Sequence, residues 1–339
     1  MRKRTVYLCA LALLSAGLVG GYVSGNQPQR DSVAAAEQQY GVDFESKMVD
    51  VGDVSLHVVF TGPADGKPVI LLHGYPEFWY AWRGPMAVLA KAGYRVIAPD
   101  QRGYNHSDKP ADVAAYRLDK LAGDVVGLAD ALGYEKFFLA GHDFGGQVAW
   151  WTLLLHPERV EKSVIINKEH PLAAADYQTR EDEIDWYATF LQIPSVPGYV
   201  GRLGNWMLLE KTLRATSLPG TFPDADLDQF RSAWDSDGAI NSMGKWYRAN
   251  KAFQMDIGTG RIATPTMMII AADDAFTPID LARRNALFLE NGRVNELDTG
   301  THWVIQEKPD LIGRSMAEFF STLDSGTGVQ ASSKGSYLP

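Results

Sequence analysis

Two rhythms of apolar and polar positions run along this chain. From about Tyr40 onward, short apolar runs rich in β-branched residues are separated by amphipathic stretches of helical period. The runs Val54–Phe60, Pro68–Leu72, Arg95–Ala98, Lys136–Ala140, Lys162–Ile166, Pro265–Ala271 and Arg293–Leu297 predict strands. Helices are predicted between most of them, including one over Gln147–His156 and one beginning near Lys308. Strands alternating with helices predict an α/β protein with a mostly parallel central sheet flanked by helices. Between Pro171 and about Arg261 the alternation stops, and Trp, Tyr, Phe and charges recur at helical spacing with Pro and Gly interruptions. This segment, 171–261, reads as a helical cap inserted between two sheet strands, with the core divided into 40–170 and 262–324. Residues 325–339, rich in Ser and Gly, read as a flexible tail.

Residues 1–39 follow neither rhythm and read as an export signal and linker. Met1-Arg2-Lys3-Arg4 is a positive start, and Thr5 to Val19 is an apolar stretch without an acid. Gly20 to Gln39 is small and polar, suited to a cleavage region or a tether. The protein is therefore expected to be exported, periplasmic or secreted. The alternative is an uncleaved membrane anchor, for which the apolar run is short. The single cysteine, Cys9, lies in this leader, so a mature chain has neither an intramolecular disulfide nor a thiol nucleophile.

Composition narrows the function. The chain has 339 residues, 46% hydrophobic and 22% charged, enough to bury a full core. A net charge of -9, with no Lys or Arg run beyond the first four residues, argues against nucleic acid or an anionic membrane surface as a partner of the folded part. A small, apolar, uncharged molecule is the expected partner. No Cys/His cluster or phosphate-cradling glycine loop is present, so no metal and no organic cofactor is expected.

The chemistry centres on Phe138-Leu139-Ala140-Gly141-His142-Asp143-Phe144-Gly145-Gly146, an apolar strand running into a turn and then a helix. Glycine on both flanks lets the backbone fold sharply, which exposes the middle side chain at the strand end; this is a nucleophile elbow with Asp in the usual Ser position. A carboxylate nucleophile attacking an sp³ carbon forms an alkyl ester, so Asp143 points to a substrate with a built-in leaving group, an epoxide or a halide. After another apolar strand, His73-Gly74-Tyr75-Pro76 leads into Phe78-Trp79-Tyr80-Ala81-Trp82. Backbone N–H groups near Tyr75 and at Phe144 are the candidate oxyanion hole. His73, read chiefly as a hydrogen-bonded support, is grouped with Pro76 and Trp79 as candidate lining of the substrate pocket. His302, in Thr299-Gly300-Thr301-His302-Trp303, follows the last strand and is the candidate base for water. Its orienting acid is expected to be Asp274, in Ala271-Ala272-Asp273-Asp274, with Glu169 in Asn167-Lys168-Glu169-His170 as the rival.

Taken together, these motifs resemble the epoxide hydrolase and haloalkane dehalogenase branch of the α/β-hydrolase fold over roughly Tyr40 to Leu323, and within it most nearly an epoxide hydrolase. Pro99-Asp100-Gln101-Arg102-Gly103-Tyr104 and Ser107-Asp108-Lys109-Pro110 join the stretches above in carrying the resemblance. The resemblance implies two cap tyrosines that hold the epoxide oxygen and protonate it; Tyr187 and Tyr247 look like this pair, although Leu191 stands where the family usually has Phe. Dehalogenases place halide-binding N–H donors where this chain has Tyr75 and Phe144, and a relay acid where it has Asn167. The implied reaction is opening of an epoxide to a vicinal diol. A dehalogenase with the same Asp and His, or a non-catalytic binding protein on the same fold, are the alternatives.

Overall fold

The computed structural model describes residues 31–178, 190, 192–251, 253, 255–322 and 330–331. Nine strands form one sheet in the order β1-β2-β4-β3-β5-β6-β7-β8-β9. They are β1 (Phe44–Asp50), β2 (Ser55–Thr61), β3 (Pro68–Leu72), β4 (Arg95–Pro99), β5 (Phe137–His142), β6 (Val160–Ile166), β7 (Thr266–Ala271), β8 (Gly292–Leu297) and β9 (Gln330–Ala331). The β1–β2 and β2–β4 pairs are antiparallel, and every other pair is parallel. All seven expected strands are present, with ends shifted by a residue or two.

The helices flanking the sheet are α1 (Ser32–Tyr40), α2 (Arg83–Lys91), α3 (Leu118–Ala131) and α4 (Phe144–Leu155) before the cap. Between β6 and β7 the described helices are α5 (Pro171–Gln178), α6 (Val196–Leu203), α7 (Met207–Thr216), α8 (Asp224–Asp235) and α9 (Ala239–Asn250). After β7 come α10 (Ile279–Arg283), α11 (Val304–Glu307) and α12 (Pro309–Ser321). The helix predicted over Gln147–His156 begins three residues earlier, directly after Asp143.

Two parts of the sequence reading need correction. Residues 32–39, read as linker, are helical: Asp31 caps α1 by accepting from the amides of Val33 and Ala34, and Ala36 is fully buried. The tail read as flexible contributes Gln330–Ala331, which pairs in parallel with Arg293 and Val294. Among the described residues, no helix is long and apolar enough to cross a membrane.

The sheet topology places the site. Strands β3, β5, β6, β7 and β8 are parallel and adjacent, so their C-terminal ends share one edge and the loops that follow them converge there. At the centre, β5 is buried along its whole length between β3 and β6.

The cap closes over this edge, and tryptophans fasten it. Trp234 Nε1 donates to the Pro76 carbonyl at 2.6 Å and Trp246 Nε1 to the Arg102 carbonyl at 3.0 Å. From the core side, Trp303 Nε1 donates to Thr216 Oγ1 at 2.8 Å. A buried ion pair adds to these: Arg83 on α2 lies 2.5 Å from Asp226 on α8, and the Tyr80 hydroxyl donates to the same carboxylate at 3.0 Å.

Candidate active site

Asp143 follows the last residue of β5 and precedes α4, with φ 49° and ψ -121°. A non-glycine residue in this region is strained, and the strain persists because the surroundings leave the backbone no other path. A Cβ on Gly141 would stand 2.3 Å from the Gly145 carbonyl oxygen, and one on Gly145 would stand 2.1 Å from the Leu72 carbonyl oxygen. Glycine is therefore obligatory on both flanks, and the carboxylate projects over the edge of the sheet.

Around that carboxylate the structure gathers most of the expected residues. The Tyr75 amide donates to Asp143 Oδ1 at 2.8 Å. His302 Nε2 lies 3.6 Å from Asp143 Oδ2, and its Nδ1 lies 2.9 Å from Asp274 Oδ2. Asp274 is held in turn through Oδ1, which accepts from the amides of Phe276 and Thr277 at 2.7 and 2.9 Å. Glu169 is engaged elsewhere: its carboxylate lies 3.1 Å from Lys168 Nζ and accepts at 3.5 Å from Thr277 Oγ1. Tyr247 on α9 packs its ring on Phe144, at 4.8 Å between centroids, and on Tyr75, at 6.0 Å. Tyr187 lies outside the described residues.

The charges in this cluster reinforce one another. Burial works against the ionised Asp143, yet the His302 ring, with Lys168 and His142 behind it, holds its pKa well below the usual carboxylate range. Burial likewise works against a charged His302, but Asp274 and Asp143 on either side outweigh it and push its pKa up to about 10. At neutral pH the cluster rests as an ionised carboxylate beside an imidazolium.

The pocket assignments fare unevenly. Trp79 is not at the site: it is fully buried, its ring packs against Phe44 and Tyr80, and its indole donates to Ser32 Oγ on α1. An aromatic cluster after a glycine turn reads the same whether it lines a pocket or fills a core, and here it fills the core. His73 is likewise taken up by the backbone, with Nδ1 at 2.9 Å from the Gly74 carbonyl and Nε2 accepting from the Gln101 amide at 3.0 Å. Pro76 stays beside the site, joined to Tyr75 by a cis peptide bond.

A buried polar network escaped the sequence reading. His142 Nδ1 lies 3.0 Å from Glu77 Oε2, and its Nε2 lies 2.7 Å from the His302 carbonyl. Both ring nitrogens thus face oxygen atoms of other loops. Glu77 also accepts from the Gly74 amide and from Gln306. Its carboxyl, penalised by burial, is held below its ordinary range by His142 and Gln306. Asn167 completes the frame: Nδ2 donates to the Thr301 and His302 carbonyls, and Oδ1 accepts from the Ala271 amide. Glu77, His142 and Asn167 stood inside or beside the motifs, but nothing local in the sequence revealed their partners.

Comparison with known proteins identifies the family. The alpha/beta hydrolase fold family matches residues 67–309. The AB hydrolase superfamily protein YfhM of Bacillus subtilis is 35% identical over 277 residues, covering 80% of this chain and 96% of that one. Human epoxide hydrolase 4 is 32% identical over 305 residues, covering 86% of this chain and 83% of that one. A solved structure described among novel epoxide hydrolases from metagenomes of hot environments superposes with a TM-score of 0.71 at 32% identity, covering 82% of this chain and 99% of that one. The chain belongs to the alpha/beta hydrolase fold family, in its epoxide hydrolase branch.

Proposed function

We propose that this protein opens an epoxide to a vicinal diol through an ester on Asp143. The observation that carries the reading is the placement of one carboxylate between two groups: the Tyr75 amide on Oδ1 and the His302 imidazole facing Oδ2. Oδ2 attacks an epoxide carbon and the C–O bond breaks. The departing oxygen takes a proton from the hydroxyls of Tyr247 and Tyr187, leaving a hydroxyalkyl ester. Ester formation removes the negative charge of Asp143, one of the two carboxylates that sustain the His302 proton. The imidazole can then lose that proton, which restores the tyrosine hydroxyl, and take another from water. Water adds to the ester carbonyl carbon, and charge collects on Oδ1, where the Tyr75 and Phe144 amides stabilise it. Collapse breaks the Cγ–Oδ2 bond, the leaving oxygen takes up the proton of the added hydroxyl, and the diol departs from a restored carboxylate. Asp274 orients the ring and stabilises its charge.

The test is intact mass spectrometry of a His302→Gln variant incubated with terminal epoxides and with haloalkanes. A gain equal to the whole epoxide, mapped to Asp143, is the expected result. An alkyl adduct formed only from the halides would move the assignment to a dehalogenase, and a folded protein that takes no adduct would leave a binding role. The leader supports an exported location, which N-terminal sequencing of the protein secreted by its native host would test.

A further inference from the structure

The cap carries a surface that catalysis does not use. Ile193, Val196, Tyr199, Leu203 and Met207 are each between 39% and 68% exposed, and Tyr199 is the most exposed of them. Val196, Tyr199 and Leu203 stand at i, i+3 and i+7 on α6, so they share one face, while Pro197 and Gly198 are buried. From Trp186 to Leu209, Arg202 is the sole charged residue, in a chain that is 22% charged. A solvated helix face does not look like this, and contiguous exposed apolar patches mark contact surfaces.

We propose that the corner between α6 and α7 is a contact face for a zwitterionic phospholipid bilayer. The composition favours lipid: aliphatic side chains to enter the acyl boundary, a tyrosine suited to the interface, and no acid between Trp186 and Leu209. The net charge of -9 selects against anionic lipid. The leader supplies a second, independent pointer, because its apolar stretch Thr5 to Val19 seeks the same phase.

The two lie within reach of one surface. The C-terminal end of α1 is fastened near one end of α8, where Gln39 Oε1 accepts from Arg83 Nε and Arg83 pairs with Asp226; the described chain begins at Asp31, eight residues earlier and about 12 Å away along that helix. The patch is fastened to the other end, where Trp206 Nε1 donates to Asp235 Oδ1 at 2.7 Å and Arg202 donates to the Asp235 carbonyl at 3.0 Å. Asp226 and Asp235 are nine positions apart on that helix, a span of about 14 Å. The residues from Gly20 to Arg30 can bridge up to about 36 Å when extended. Binding does not depend on the epoxide reading; only its benefit does, since an apolar epoxide concentrates in the bilayer beside the cap.

The experiment uses the full chain with Cys9→Ser and Leu203→Cys, the new thiol carrying an environment-sensitive fluorophore, mixed with phosphatidylcholine vesicles. A control carries the label at Lys67→Cys, on an exposed side chain at the start of β3. The expected result is a blue shift at position 203, unaffected by high salt, with none at position 67. Adding Tyr199→Glu and Met207→Glu should weaken the response at 203 about tenfold. The proposal is overturned if the label at 203 stays aqueous while flotation shows the chain on vesicles through its leader, or if the charge substitutions change nothing. A shift that needs no vesicles and grows with protein concentration would also overturn it, pointing to a second copy of the chain.

Discussion

Replacing Asp274 by Asn separates the two halves of the proposed reaction. Asp274 Oδ1 accepts from two amides, at 2.7 and 2.9 Å, and Oδ2 faces His302 Nδ1 at 2.9 Å. An amide at this position keeps its oxygen on the two backbone donors, which turns its NH2 toward His302 Nδ1. The ring nitrogen must then accept, so the proton moves to Nε2, the nitrogen facing Asp143. Nucleophilic attack is spared, because Asp143 and the tyrosines are untouched. Hydrolysis is not, because Nε2 can no longer take a proton from water. The equivalent Asp→Asn change in a serine protease triad lowers turnover by about 10⁴. A loss of about 10³ to 10⁴ in the hydrolytic step, roughly 4 to 5.5 kcal/mol of barrier, is expected here, with ester formation slowed less than tenfold. Rapid-quench mass spectrometry with excess epoxide should show one adduct per chain forming fast and decaying slowly. Steady-state turnover within tenfold of wild type, together with a collapse on Glu169→Gln, would refute the reasoning and move the relay to Glu169.

The other predictions concern the proton inventory. Tyr247→Phe should slow ester formation by about 10², the lower range for loss of a general acid, and leave hydrolysis of a preformed ester unchanged; single-turnover kinetics distinguishes the two. In Asp143→Asn, one of the two carboxylates beside His302 is gone, so its titration, followed by NMR of the ring protons, should fall from about 10 toward its ordinary range; a His302 still titrating near 10 would contradict the charge argument. For stability, His302 is raised from 6.5 when folded, so its contribution is complete below about 6.5 and is lost as pH climbs to about 10. Asp143 is depressed from 3.8, so its contribution is present above that value and is lost as pH falls below it. Urea unfolding of wild type should therefore weaken between pH 7 and 10 more steeply than that of His302→Gln.

What was legible in the sequence was whatever repeats or is written locally. The parallel strands announced themselves because burial on both faces makes them continuous apolar runs. Strand β1 did not: only Phe44 and Val49 of its seven residues are buried, which gives neither a run nor an alternation. Helix α1 was hidden by the small, polar character of its surroundings, although Asp31 before Ala34-Ala35-Ala36 was a readable cap signal. At the site, Asp143, His302 and Asp274 could be placed because each follows a strand that ends on the same edge. Trp79 and His142 could not, because whether a buried ring touches substrate, core or another loop is decided by chain segments far from it in sequence.

The His142 imidazole joins Glu77, 65 residues before it, to the His302 carbonyl, 160 residues after it. One ring at the end of β5 thus joins the loops after β3 and β8, which meet only after the parallel sheet has formed. Such distant contacts form late, because the chain between them must first be ordered. A refolding intermediate with its secondary structure complete but this bridge unmade would therefore be chemically silent. Enzymatic activity in this molecule is therefore expected to return after secondary structure during refolding, which activity and circular dichroism followed together would check.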